Sequence, residues 1–252
     1  MLDQFILFVI SFIANTLSSL AGGGAGLLQL PALIFLGLPF SIALGTHKIA
    51  SVALGLGASI KHLKHGQFKF ALIITLLISA IPGVILGANI ILNISPFIAM
   101  TALGTLTILL GIYSILKPQL GIEDTEKNRH LQGYLVGGFG LFIIAILNGS
   151  LTSGTGLFVT MWLIHWFGLS YGKAVSYTLI MVGIIWNGMG AATLAMLTEI
   201  KWNWLPALLL GSLIGGYVGA HLVIAKGNKL VKRAFEVMTI LAGLALWYKA
   251  FN

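Results

Sequence analysis

The sequence predicts an all-α polytopic membrane protein, built as two inverted-topology repeats of about five helical segments with broken helices near mid-membrane. Three observations carry this expectation: a composition too apolar for water, a pair of matching short segments in the two halves, and opposite charge bias in matched loops.

The 252 residues include 14 Lys or Arg and only 6 Asp or Glu, while 58% are hydrophobic and mean hydropathy is +1.02. An ordinary soluble domain is about 25% charged; this chain is 8% charged and cannot cover a water-facing surface. Soluble enzymes, nucleic-acid binders and secreted disulfide scaffolds are excluded. The absence of cysteine removes disulfides, thiolate metal sites and cysteine nucleophiles. The net charge of +8 points to a membrane face, not to nucleic acid, because the basic residues sit in short loops between apolar runs. The 32 glycines suit helices packed backbone to backbone. MLDQFILF has no basic leader and no small-residue cleavage site before Gly22, so it reads as the first membrane segment.

The apolar segments run Leu2 to Ala21, Leu27 to Leu38, Ile42 to Ile60, Phe70 to Leu92 and Pro96 to Leu116. After a polar stretch come Leu131 to Leu147, Leu157 to Phe167, Ala174 to Leu197, Trp204 to Ala225 and Val231 to Phe251. Most reach about 20 residues, enough to cross a ~30 Å core at 1.5 Å per residue. Leu27 to Leu38 and Leu157 to Phe167 reach only about half-way. The organisation expected is a first membrane repeat over 1–116, a cytoplasmic linker over 117–130 and a second repeat over 131–252.

The two short segments occupy matching places. Gly24-Ala25-Gly26 resembles Gly154-Thr155-Gly156 at an offset of 130, and Gly37-Leu38 resembles Gly168-Leu169 at 131. Ser79 and Gly83 match Ser212 and Gly216 at 133, and Gly87-Ala88 matches Gly219-Ala220 at 132. The loop KHLKHGQFK (61–69) is basic where its mate TEIK (198–201) is balanced; NIS (93–95) is neutral where its mate KGNKLVKR (226–233) is the most basic run. By the positive-inside rule, matched loops then lie on opposite sides of the membrane. An inverted repeat is a common plan of secondary transporters. It needs an odd number of crossings per half: five if the short pieces cross, three if they are re-entrant.

Two glycine-rich breaks are the candidate site. AGGGAG (21–26) places Gly22, Gly23 and Gly24 where a helix in hydrocarbon would lose about 1 kcal/mol per glycine relative to alanine. Unwound backbone at that depth needs protein or a water-filled cavity around it, and the N–H groups opening a half-helix cradle anions. A packing crossing is the alternative. NGSLTSGTG (148–156) adds Asn148, Ser150, Thr152, Ser153 and Thr155 around Gly154, which favours a ligand site. Lys48 lies inside an apolar segment, where a cation costs at least about 2.5–3.5 kcal/mol unless it meets a cavity, a partner or an anion; snorkelling to an interface is the alternative. Thr46 and His47 stand beside it, and Ser176-Tyr177-Thr178 is the repeat mate, of which Ser176 and Tyr177 join the candidate site. Glu236 pairs locally with Lys232 or Arg233. His62 and His65 read as solvated loop residues, His165 and His221 as structural histidines, and Trp202, Trp204 and Trp247 as interface anchors. No catalytic or metal-binding cluster is recognisable. The buried charge is positive, so the chemistry favours a small anionic substrate; the coupling ion is left open with a proton as the candidate, lipid is the surroundings, and no nucleic acid or cofactor is expected, with the oligomeric state open.

SLAGGGAGLLQLPALIFLGLPFSIALGTHKIAS (19–51) resembles the opening signature of the TauE/SafE (TSUP) family of sulfite exporters: a Gly-rich break, a proline, a G-x-P turn and a T-x-K-like element. KPQLGIEDTE (117–126) and GGYVGAHLVIAKGNKLVKR (215–233) are similar to the family's linker and second-half loop. The resemblance implies a multi-pass permease of the inner (plasma) membrane for sulfite, thiosulfate or an organosulfonate. The second break departs from it: relatives often read D/G-G-x-x-G-P-x-x-G, whereas Asn148 stands in place of the acid and Ser153 in place of the proline. Proton coupling through a carboxylate there is then absent. A channel-like anion pore and a membrane-embedded enzyme are the competing readings, the enzyme being disfavoured because no reactive acid/base pair can be assembled.

Overall fold

The computed structural model describes residues 2–65, 68–90, 95–150 and 154–251. They form α1 (Leu2–Ala21), α2 (Ala25–Phe35), α3 (Phe40–His65), α4 (Phe70–Ile90) and α5 (Pro96–Leu116), then α6 (Leu131–Ser150), α7 (Thr155–Phe167) and α8 (Tyr171–Tyr177). A π-helical stretch, Thr178–Trp186, joins α8 to α9 (Asn187–Leu197); a 3₁₀ turn, Trp202–Trp204, precedes α10 (Leu205–Lys226) and α11 (Asn228–Phe251). No strand occurs among the described residues, and six helical spans are long and apolar enough to cross a membrane.

Glycine conformation ends the broken helices. Gly24 and Gly154 precede α2 and α7 with φ of 97° and 78°, left-handed values that L side chains rarely adopt. Gly37 and Gly168 follow the same two helices with φ of 97° and 68°. These are the residues aligned from sequence, so the internal correspondence extends to backbone conformation.

Both short helices double back. Gln29 Nε2 donates to Ser11 Oγ at 2.9 Å, and Leu33 shares an apolar cluster with Leu7, so α2 descends antiparallel along α1. In the second half, Trp162 and Trp166 donate their indole N–H groups to the carbonyls of Gly137 and Gly133 at 3.0 and 2.9 Å, so α7 descends along α6. Each pair is a helical hairpin.

Partners are exchanged reciprocally. α1 lies parallel to α10, with Ser11 Oγ donating to Leu208 O and Ser19 Oγ to Gly216 O. α6 lies on α4 in the same way, with Ser79 Oγ donating to Gly138 O. The remaining long helices pack on their own mates, α3 on the α8–α9 span and α5 on α11. Small residues make these contacts close: a Cβ on Gly211, Gly215 or Gly219 would sit 2.5–2.6 Å from α1 atoms. α3 and the π-helical stretch cross at Gly55 and Gly183, where a Cβ on Gly55 would be 2.8 Å from the Gly183 carbonyl carbon. Each glycine is near the middle of its span.

The turns collect at two ends. At one end the linker meets Lys69 through Glu126, Lys173 through Asp124, and the α10–α11 turn through Asn228 Nδ2, which donates to Ile122 O at 2.7 Å. At the other, Gln4 Nε2 donates to Asn203 O at 2.8 Å and Lys201 N to Thr46 Oγ1 at 3.1 Å.

Two expectations are corrected. α3 continues through His65, so 61–65 is helix and not loop. His62 consequently faces inward, 2% exposed, with Nδ1 2.7 Å from Ser176 Oγ. Gly66, Gln67 and 91–94 lie outside the described residues.

Candidate functional site

The tips of the two hairpins meet. A Cβ on Gly23 would lie 2.6 Å from the Gly156 carbonyl carbon, and Thr160 Oγ1 donates to Gly22 O at 2.8 Å. Only two glycines facing each other permit this approach, which explains the sequence requirement at both breaks. Beside the contact lies a cavity of about 40 Å³, room for about two or three waters or a comparable small ion. It is walled by Gly23, Gly24 and Gly26 from the first break, Asn148, Thr155 and Gly156 from the second, and His47 and Ser51 of α3. Thr178, Gly183 and Asn187 complete it from the α8–α9 span. Widened π turns recur at functional sites, and this one places Thr178 and Gly183 on the wall.

α2 and α7 both begin at the cavity, so two helix N-termini present backbone donors and positive dipole ends to it. Its walls hold no Asp or Glu. Ser18 of α1 also lines it; this hydroxyl is fully buried and has no hydrogen-bond partner among the described residues.

Lys48 lies behind the wall. It is fully buried, and its Nζ donates to Asn148 O at 2.8 Å and to Asn148 Oδ1 at 3.3 Å. Asn148 Nδ2 in turn donates to Thr155 Oγ1 at 2.9 Å. The lysine therefore neither snorkels nor projects into the cavity; it orients the asparagine that lines it. Gly190 provides the room, since a Cβ there would sit 2.9 Å from Nζ.

Of the residues singled out from sequence, Gly23, Gly24, His47, Asn148 and Thr155 line the cavity, Gly22 and Gly154 flank its wall, and Lys48 backs it. Four do not come to it. The Thr46 hydroxyl accepts from Lys201 N at the far end, and Ser150 bonds back to Ile146 O at 3.0 Å. Ser176 pairs with His62, and the Tyr177 hydroxyl accepts from Lys69 N, both toward the linker end. They fail because a helix presents only one face to the crossing, and these residues lie on others. Ser153 and Thr152 lie outside the described residues. Sequence reading missed Ser18, Ser51 and Asn187, and it placed Thr178 in the mate position of Lys48 without counting it among the site residues. Ser51 follows His47 by four residues and shares its helical face, a signal that was available; the others are single polar residues in apolar runs.

No group of three or more His, Asp or Glu side chains able to hold a metal occurs among the described residues. Long apolar helices around a polar cavity formed by broken helices define a multi-pass membrane protein of transporter type. The model of the family described as "Sulfite exporter TauE/SafE" matches residues 7–246, and the chain belongs to that family. Among its relatives is a probable membrane transporter protein of Haemophilus influenzae, 29% identical over 246 residues that cover 96% of this chain and 94% of the relative. The probable membrane transporter protein YfcA of Escherichia coli K12 is 24% identical over 96% of this chain and 89% of its own length. YunE of Bacillus subtilis, also a probable membrane transporter protein, is 24% identical over 97% of both chains.

Proposed function

We propose that this chain is a secondary transporter of the bacterial inner membrane, with two inverted repeats over 1–116 and 131–252, and that the cavity between the hairpin tips binds a small sulfur-containing anion such as sulfite, thiosulfate or an organosulfonate. The observation that carries the reading is the cavity wall: two half-helix N-termini converge on it, hydroxyl and amide groups surround it, and no carboxylate lies in it. Opposed half-helices around a mid-membrane site are how such repeats hold anionic groups. Ser18, without a partner among the described residues, is a ready donor.

The inverted arrangement is supported by the ends of the molecule. The basic end of α3 with Lys69, and the 226–233 turn, gather with the linker at one end, whereas 198–201, the mate of the first, sits against Thr46 at the other. The positive-inside rule makes the linker end cytoplasmic. The chain has no cysteine, so introduced thiols report cleanly. Cysteines at Lys64 and Lys229 are expected to react only from the cytoplasmic side and one at Glu199 only from outside; labelling of Glu199 from the same face as Lys64, in the matching turn of the first half, overturns the inverted fold.

The function is tested by flux of ³⁵S-labelled sulfite, thiosulfate and sulfate, with rubidium as the cationic control, in proteoliposomes of the purified protein. Saturable flux of at least one sulfur anion, without rubidium flux, is expected. Rubidium flux without anion flux overturns the reading.

A further inference from the structure

Resting on the anion-site reading, we propose that His47 carries the proton that moves with the anion, its Nε2 being the proton-binding atom and Gln29 the residue that positions it.

The hydrogen bonds assign the tautomer. Ser11 has a single hydroxyl hydrogen, and its Oγ lies 2.7 Å from Leu208 O, which can only accept. That hydrogen is therefore committed, and the Gln29 atom 2.9 Å from Ser11 Oγ is the donating Nε2. Gln29 Oε1 then faces His47 Nδ1 at 2.7 Å and must receive a hydrogen from it. Asn15 reinforces the arrangement by donating to Ser11 O at 2.7 Å and to Ser212 Oγ at 3.0 Å. Nδ1 thus holds the ring hydrogen, and Nε2 carries the lone pair. Ser51 Oγ lies 3.2 Å from Nε2, and both residues line the cavity.

Among the described residues, His47 is the only titratable one on the cavity wall. Its neighbours from α1, α2 and α6 are Ser11, Ser18, Gln29 and Asn148, all neutral; Thr155 of α7 and Thr178 and Asn187 of the α8–α9 span are neutral as well. The acids and bases on helices packed against α3 are Asp3, Tyr217, His221, Lys226, Tyr171, Lys173 and Tyr177, and none of them lines the cavity. Lys48, next in sequence, is the adjacent charged side chain on α3. It opposes a second positive charge when the cavity is empty. An anion in the cavity reverses that balance, because it is the counter-charge the imidazolium otherwise lacks. The Nε2 lone pair takes up a proton from the aqueous phase as the anion enters, giving an imidazolium with N–H at both nitrogens; Ser51 turns its hydroxyl to accept. When the anion leaves, the Nε2–H bond breaks and the proton leaves with it. Proton and anion then occupy the site together or not at all.

The test uses full-length protein in proteoliposomes containing a pH-sensitive dye, with ³⁵S-sulfite as probe, in two modes: net uptake under an imposed pH gradient, and sulfite-for-sulfite exchange without one. Wild type is expected to move protons with net uptake. His47→Gln is expected to lose at least ten-fold in gradient-driven uptake and proton flux. Gln29→Glu places a carboxylate against Nδ1–H, favours the imidazolium and shifts the pH midpoint of net uptake upward by about a unit; it covers the case in which His47→Gln fails to fold. A purely structural network would leave that midpoint in place. Unchanged proton coupling in His47→Gln, an unshifted midpoint in Gln29→Glu, or wild-type sulfite uptake without protons overturns this inference and leaves the anion-site reading standing. No wild-type movement of sulfite in either mode counts against both.

Discussion

Lys232 and Lys48 are both buried, at 7% and 0% exposure, yet they are satisfied in opposite ways. Lys232 Nζ lies 3.1 Å from Glu236 Oε1, donates to Ser114 O at 2.7 Å, and belongs to a network in which Ser114 Oγ also meets Tyr171 OH at 2.8 Å. It fastens α11 to the end of α5 and to α8 near the linker, and its charge is cancelled on the spot. Among the described residues, Lys48 has the backbone and side-chain oxygens of Asn148. Its charge is solvated by dipoles but not neutralised. A buried ion pair with a full set of partners is a fastening; a buried cation without a counter-ion, placed behind an acid-free cavity, leaves a positive field for something that comes and goes.

Breaking the fastening has the largest expected effect. Lys232→Met strands Glu236, whose side chain is 18% exposed, without its counter-charge. Removing one member of a buried pair costs about 3–5 kcal/mol, so the thermal midpoint in detergent falls sharply, while flux per folded molecule stays at the wild-type level. A stability loss below about 1 kcal/mol would place Lys232 among surface pairs and dissolve the contrast with Lys48.

Lys48→Met reverses the pattern. The methionine fills a similar volume and removes a charge that had no carboxylate to strand. Lys48 acts on the anion through its charge and through the asparagine it orients, so anion affinity is expected to fall by about ten-fold or more. Binding titrations at fixed pH measure this, with folding checked by size-exclusion profile. Wild-type affinity in Lys48→Met would assign the lysine a structural role only.

The contrast was half legible in the sequence. The Lys232–Glu236 pairing follows from spacing, since residues four apart share a helical face. The isolation of Lys48 followed from the scarcity of acids in its segment. The breaks were legible because glycine is the residue that adopts the left-handed values found at Gly24 and Gly154. What spacing could not supply was which faces meet. Ser18 and Asn187 are ordinary polar residues until the crossing at Gly55 and Gly183 brings α1 and the α8–α9 span to one point. His62 was misplaced because a basic run read as loop is the last turn of α3, whose inward face carries the histidine to Ser176.

A third lysine sets the lower end of the scale. Lys173 pairs with Asp124 at the linker, with side chains 41% and 27% exposed. Burial works against the Asp124 charge, but the Lys173 ammonium and the Ser170 N–H bonded to the carboxylate outweigh it and hold its pKa below the usual value. The Lys69 ammonium does the same for Glu126 in the same linker. A carboxylate whose folded pKa is depressed stabilises the fold above its unfolded pKa, near 3.9 for aspartate, and the contribution fades as pH falls through the folded value. Asp124→Asn is therefore expected to cost only about 0.5–1 kcal/mol at neutral pH, as a solvent-screened pair does. That deficit should shrink as pH drops below about 4 and should also shrink in high salt. Thermal midpoints of wild type and variant recorded from pH 7 to pH 3 provide the check. A gap that is constant across that range would mean that Asp124 acts through the Ser170 N–H bond, and only Lys232 would then remain as a lysine whose partner charge matters to the fold.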